Sequence, residues 1–384
     1  MGSEMCIRDR LNKGLSIELF DSDVEHSINE QIAHDPDLGV LELKRIDVLL
    51  KNPLKKFYMK YHGVIEPTIY PAWGCHGDLY IIRAETLWYP FTVSCRTVFW
   101  GLLYGYHDKA LILFKIGKLT PVASLDVVSE DNGEIVFGGE NIYQPIEFII
   151  GPFKREVYAG DKQLFVYTLN KPSYTSAELY KHLDNVERAY EELYSVKSPH
   201  NQYHLVFLKE TGGFHAGSMI VLDEKYIKTS KGLTLNLVHE FSHIWWAGKI
   251  KLCSPDSTWL MEAIPEYITT RIGGILGILE YTKQVKEVVN KAKSILRSGR
   301  YRPPTTIPMP MNEYSESIWR VVGPSIFYEV GNVIGYESLD HILSVFMEES
   351  LSSNKPYCLT WKTLRRMLYN LDERVSQILN RYGV

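Results

Sequence analysis

The sequence predicts an α+β protein, with a β-sandwich-like N-terminal domain followed by a mainly helical domain. The chain has 384 residues and 45% apolar side chains, enough to build two cores. From about Val40 to Asn170, short apolar runs alternate with turn residues, and after Lys171-Pro172 the apolar spacing becomes helical. The domains are therefore drawn as 21–171 and 172–384, the first open to truncation at its start. Residues 1–20 are set aside as a non-native or disordered leader, because their opening carries neither a regular period nor an apolar signal segment.

In the first domain, strands are expected at Val64–Tyr70, Leu79–Arg83, Ala110–Lys115, Glu134–Phe137 and Glu147–Ile150. Turns at Asp131-Asn132-Gly133, Gly138-Gly139 and Gly160-Asp161 separate them, the rhythm of an antiparallel sandwich. The hairpin through Tyr158–Asp161 returns as a strand carrying Leu164, Val166 and Tyr167. In the second domain, Leu179, Leu183, Val186, Tyr190 and Leu193 recur at spacings of four and three. That is one apolar face of a helix, which Ser173 or Thr175 could cap. A strand (Tyr203–Leu208), a Gly-rich loop (Thr211–Gly217) and a second strand (Met219–Leu222) follow, and beyond Leu233 the text is mostly helical.

With 42 basic and 46 acidic side chains the net charge is -4, which argues against nucleic acid or anionic membrane as the main partner. The longest apolar stretch, Leu87–Leu103, is broken by Pro90 and Arg96 and is not a membrane span. The five cysteines are widely spaced with no CxxC pair, so buried free thiols are expected rather than a disulfide scaffold or a cysteine metal site.

The chemistry concentrates in His239-Glu240-Phe241-Ser242-His243, an HExxH pattern within an apolar helical run. Four residues carry a helix through about 400°, so the two imidazoles stand on one face. There they can bind one Zn²⁺, with Glu240 beside the metal as a base. The pattern arises by chance in roughly one chain of this length in fifty. A buried helix favours the functional reading, since two histidines and a glutamate need partners there. A catalytic site needs a third protein ligand. Glu262 comes nineteen residues after His243 among apolar neighbours, on a second helix that Asp256 or Ser257 would cap. Co²⁺ or Mn²⁺ suits the same donors.

HExxH, eighteen residues and then glutamate in Trp259-Leu260-Met261-Glu262 resembles the gluzincin metallopeptidases of the aminopeptidase N and leukotriene hydrolase family. His243-Ile244-Trp245-Trp246 is similar to that family's H-x-W-[FW] continuation. The resemblance covers most of 80–384 and is strongest at 213–270. It implies a thermolysin-like catalytic domain, His239, His243 and Glu262 as zinc ligands, and Glu240 as general base. It also implies that Tyr328, in Phe327–Asn332 at the place of a Y-x-K-G element, stabilises the oxyanion. A core tyrosine on an apolar helix is the other reading of Tyr328. The segment Glu147–Phe153 with its hairpin is similar to the end of the family's N-terminal β-domain.

The departures bear on specificity. The family's G-x-M-E-N glutamate, which binds a substrate amine, has no counterpart in Gly213–Ile220, where the first carboxylate is Asp223. Asp223 or Glu224 could replace it. The Gly217–Leu222 strand could offer edge backbone groups to an extended peptide, so Gly217, Ser218 and Met219 are candidate substrate contacts, and His215 could line the cleft or be a plain loop histidine. Val330 stands where the family has lysine, and Pro265 interrupts the Glu262 helix, at a cost of about 3 kcal/mol or a kink. Glu266 could orient a ligand imidazole or be solvated. The expectation is a zinc-dependent peptidase acting on peptides, exo or endo, in the cytoplasm. The alternative is a zinc-containing peptide-binding protein of the same fold that does not cleave.

Overall fold

The computed structural model describes the backbone of residues 2–8, 12–20, 24–35, 39–50, 58–65, 74–83, 107–115, 117–142, 146–170, 173–307, 313–352 and 357–384, with most side chains from residue 77 onward. The chain is α+β and divides into two compact units, Met1–Phe153 and Lys154–Val384.

The first unit is built from antiparallel strands. β1 (Gly2–Arg8), β2 (Asn12–Phe20), β3 (Val24–Asp35), β4 (Gly39–Leu50) and β5 (Tyr58–Ile65) form one three-stranded sheet, β1-β4-β3, and one pair, β2-β5. β1 and β2 fall in the stretch set aside as a leader; the backbone there pairs in register, Ser3 opposite Val48 and Ile17 opposite Tyr61. β6 (Gly74–His76), β7 (Leu79–Ile82), β9 (Thr120–Ala123) and β12 (Phe148–Gly151) form a sheet in the order β6-β7-β12-β9. β8 (His107–Lys115), β10 (Asp126–Asp131) and β11 (Glu134–Ile142) form another, β10-β11-β8. These two sheets meet through Phe114, whose ring lies edge-on to Phe148 at 5.3 Å and to Phe137 at 5.9 Å. Of the expected strand Val64–Tyr70 only the start lies in β5, and 66–70, like 84–106, lies outside the described residues.

The second unit starts earlier than Pro172. β13 (Lys154–Ala159) and β14 (Gln163–Thr168) form the expected hairpin, but β14 runs parallel to β15 (Gln202–Leu208) and joins the second unit's sheet. The sheet order is β13-β14-β15-β17-β16, with β16 (Phe214–Ala216) and β17 (Met219–Asp223). Parallel neighbours need a crossover, and α1 (Ser176–Tyr194) supplies it between β14 and β15. Thr175 caps α1 in a full capping box with Glu178, worth about 1 kcal/mol. Leu179, Leu183, Val186 and Tyr190 are buried as the spacing requires, with Tyr194 in place of Leu193 at the last turn.

α2 (Ser230–Ser242), capped by Thr229, and α3 (Leu260–Ile275) pack against each other and carry the HExxH and Glu262 segments. They are followed by α4 (Tyr281–Arg297), α5 (Glu313–Ser317), a π-helical turn (Ile318–Val322), α6 (Gly323–Ile334) and α7 (Tyr336–Ser352). Trp245, Trp246, Trp259 and Trp319 are fully buried here, and Trp245 stacks on Tyr190 at 5.1 Å. A Cβ on Gly323 would overlap the Cβ of Ala263, so glycine lets α6 lie against α3. Pro265 is the sixth residue of α3 and stays inside it. Asp256 and Ser257 do not cap α3. They form a 3₁₀ turn before it, and the Ser257 hydroxyl accepts the Trp361 N–H at 2.6 Å.

The chain ends with β18 (Ile250–Leu252) and β19 (Tyr357–Leu359), paired in parallel, then α8 (Trp361–Tyr369) and α9 (Glu373–Arg381). Next to that pair, Cys253 and Cys358 form a disulfide across 105 residues, with Cα atoms 5.5 Å apart. This corrects the expectation of free thiols for these two. Sequence spacing could not show it, because strand pairing between distant segments brings them together. Among the described residues no helix is long and apolar enough to cross a membrane.

Candidate metal centre

α2 delivers His239 in its last turn, and His243 is its C-cap with helical φ and ψ, so the rings stay on one face with centroids 5.0 Å apart. The first turn of α3 brings Glu262 to them. Nε2 of His239 lies 3.3 Å from Nε2 of His243 and 3.2 Å from Oε2 of Glu262, and Nε2 of His243 lies 3.9 Å from Oε1 of Glu262. These three side chains are the group that could hold a metal ion among the described residues.

Two of the three separations, 3.3 and 3.2 Å, match a metal's donor spacing, and the third, 3.9 Å, is about 0.5 Å longer. Donors about 2.0–2.1 Å from a tetrahedral ion lie about 3.3–3.4 Å from each other. The tautomer fits as well. Nδ1 of His243 donates to the Trp246 carbonyl at 3.1 Å, which leaves the Nε2 lone pair facing the other two donors. Burial pulls the His243 pKa down to about 4, so the ring is neutral, as a ligand must be. For Glu262 burial acts upward, but Arg320 and the two imidazoles outweigh it and hold the carboxylate ionised. For His239 burial acts downward, and Glu266 with the Glu262 hydrogen bond raises its pKa instead.

Glu240, the expected base, is buried next to His239. A Cβ on Gly213 would overlap its Oε1, so the Gly-rich loop lies directly against this carboxylate. Glu266, left open by the sequence, has its Oε1 3.4 Å from Nδ1 of His239.

Other expected residues sit differently. Met219 begins β17, which is paired on both sides, to β15 and β16, and so has no free ladder groups. Gly217 (φ +57°) and Ser218 make the turn before it. The edge strand is β16, Phe214–Ala216, which includes His215. Burial pushes the His215 imidazole well down, helped by the nearby His243. Asp223 is buried and accepts the N–H groups of Gly212 and Lys225 at 3.1 and 3.0 Å. Glu224 faces Lys209 at 3.8 Å. Tyr328 is buried on α6, and the Thr270 hydroxyl on α3 donates to the Glu266 carbonyl at 3.3 Å. Among the described contacts none joins Tyr328 to His239, His243, Glu262 or Glu240.

Arg320, outside the HExxH and Glu262 pattern, reaches the cluster from the π-helical turn, with Nη2 2.9 Å from Oε2 of Glu262. A signal existed: a single cation in the apolar run Ile318–Val322 needs a partner once buried. No protein-family model and no curated protein matches this sequence.

Proposed function

We propose that the chain is a zinc-dependent metallopeptidase with a thermolysin-like catalytic domain. The observation that supports this most is the convergence of His239, His243 and Glu262 within 4.8 Å, with Glu240 buried beside them. Zn²⁺ is the ion that two imidazoles and one carboxylate suit best, and when bound it would acidify water and polarise a carbonyl. The chain's residues do the rest. Glu240 takes the proton from the attacking water and returns it to the leaving amine. β16 lies at one end of the sheet, and the backbone of an extended peptide would add alongside it. Tyr328 makes no described contact with the cluster residues and carries no step in this mechanism.

Substrate choice follows from charge. Asp223 is committed to two backbone N–H groups and lies 3.4 Å from Lys225 Nζ, so it does not serve a substrate ammonium. An amine brought into the cleft without a counter-charge is costly to desolvate. Internal cleavage, or action on blocked N-termini, is the favoured specificity.

The test is one peptide with free and acetylated N-termini, incubated with zinc-loaded protein and read by mass spectrometry. Cleavage of both inside the chain is expected, and Glu240→Gln should keep zinc while losing at least about 100-fold in kcat. Release of only the first residue from the free form would replace this with an aminopeptidase. Zinc binding without cleavage would leave a peptide-binding protein.

A further inference from the structure

Arg320 bridges the centre's carboxylates. Its Nη2 is 2.9 Å from Oε2 of Glu262, its Nη1 is 3.0 Å from Oε1 of Glu266, and its Nε is 3.6 Å from Glu316. Nη1 also lies 3.3 Å from Nε2 of His239. The guanidinium therefore touches two of the three candidate ligands and the carboxylate that faces the His239 ring. Trp319 and Val322, its neighbours in the π-helical turn, are fully buried and fix its base.

We propose that Arg320 is a built-in counter-cation of the metal centre. It stands in for the metal's charge in the metal-free chain and so raises the metal concentration at which the centre loads. This rests on the metal-centre reading above. Glu240, Glu262 and Glu266 bring three carboxylates together, two of them buried, and buried carboxylates without a cation are strongly destabilising. A guanidinium is charged at every working pH, and its planar fork suits two carboxylates at once.

The same position opposes a metal. An ion held by Nε2 of His239 at about 2.1 Å would lie within about 5.4 Å of Nη1 where it now stands, and like charges at that range repel strongly in a partly buried site. Arg320 has a way out: its side chain is 31% exposed, and Glu316, at 56%, lies on the outer side. Arg320 also orders Glu262, and losing that order would weaken metal binding. That contribution is the smaller one, because Glu262 is fixed by its place in the first turn of α3 and by burial.

The experiment measures Zn²⁺ affinity by chelator competition, and melting with and without Zn²⁺, for wild type, Arg320→Gln and Arg320→Lys. Arg320→Gln is expected to bind Zn²⁺ at least about tenfold more tightly, to melt lower without metal, and to melt near wild type with it. Arg320→Lys should fall between, because an ammonium cannot fork across both carboxylates. Adding His239→Ala to Arg320→Gln should abolish the binding, placing it at this centre. If Arg320→Gln folds only with Zn²⁺, that is the same result in its extreme form, and Arg320→Lys supplies the affinity. Equal or weaker binding by both variants, or equal melting losses with and without metal, would overturn the proposal. No binding of Zn²⁺, Co²⁺ or Mn²⁺ by wild type or either variant would remove the metal centre itself. Binding by the variants alone would favour Arg320 as its occupant.

Discussion

Glu266 and His239 face each other across two helices, with Oε1 of the first 3.4 Å from Nδ1 of the second. One turn before it on α3, Glu262 approaches the opposite nitrogen of that ring at 3.2 Å. A single helix thus supplies both a candidate ligand and the carboxylate that orients the imidazole. Carboxylates placed this way fix the ring and raise its basicity. Glu266→Ala should therefore weaken zinc binding by about 10–100-fold, read by chelator competition; an unchanged affinity would mean that Glu266 is only a surface partner of Arg320.

Tyr328 tests the family resemblance directly. Because Tyr328 is buried on α6 without a described contact to the cluster, Tyr328→Phe should leave stability within about 1 kcal/mol and kcat within about threefold. Denaturant unfolding and steady-state kinetics on the two proteins decide it. A hundredfold fall in kcat at normal stability would give the oxyanion role back to Tyr328.

The Cys253–Cys358 disulfide closes a separation of 105 residues that contains α3 to α7. Cys358 is exposed, so a small thiol can reach it. Reduction should lower stability by about 2–4 kcal/mol, and Cys358→Ser should reproduce the loss and abolish any further effect of reductant. A wild-type melt indifferent to dithiothreitol would contradict this.

Lys251 gives the stability a pH dependence. It is 1% exposed, and burial pulls its pKa down to about 7; its ammonium donates to the Ala247 carbonyl at 3.1 Å. Because the folded pKa is below the unfolded one, the unfolded chain holds more protons as pH rises past 7. This group's contribution to stability therefore grows with pH, by up to about 1.4 kcal/mol per unit. Between pH 7 and 9 wild type should gain stability relative to Lys251→Met. Parallel pH curves for the two proteins would show that Lys251 titrates normally.

The sequence by itself determined the local parts. The α1 period, the Thr175 cap and the His239–His243 spacing depend on neighbours within a few residues, and the structure realises them, whereas the expected Gly138-Gly139 turn lies inside β11. Glu262 was legible too, because an acid among apolar neighbours must be buried against something. Only the tertiary structure decided the contacts between distant segments. Strand order made β16 an edge and buried β17, the β18–β19 pairing brought two far-apart cysteines together, and helix packing buried Tyr328 while turning Arg320 toward Glu262. The reason is physical: periodicity fixes which face of an element is buried, but what that face meets depends on how whole elements dock, and no local spacing encodes it.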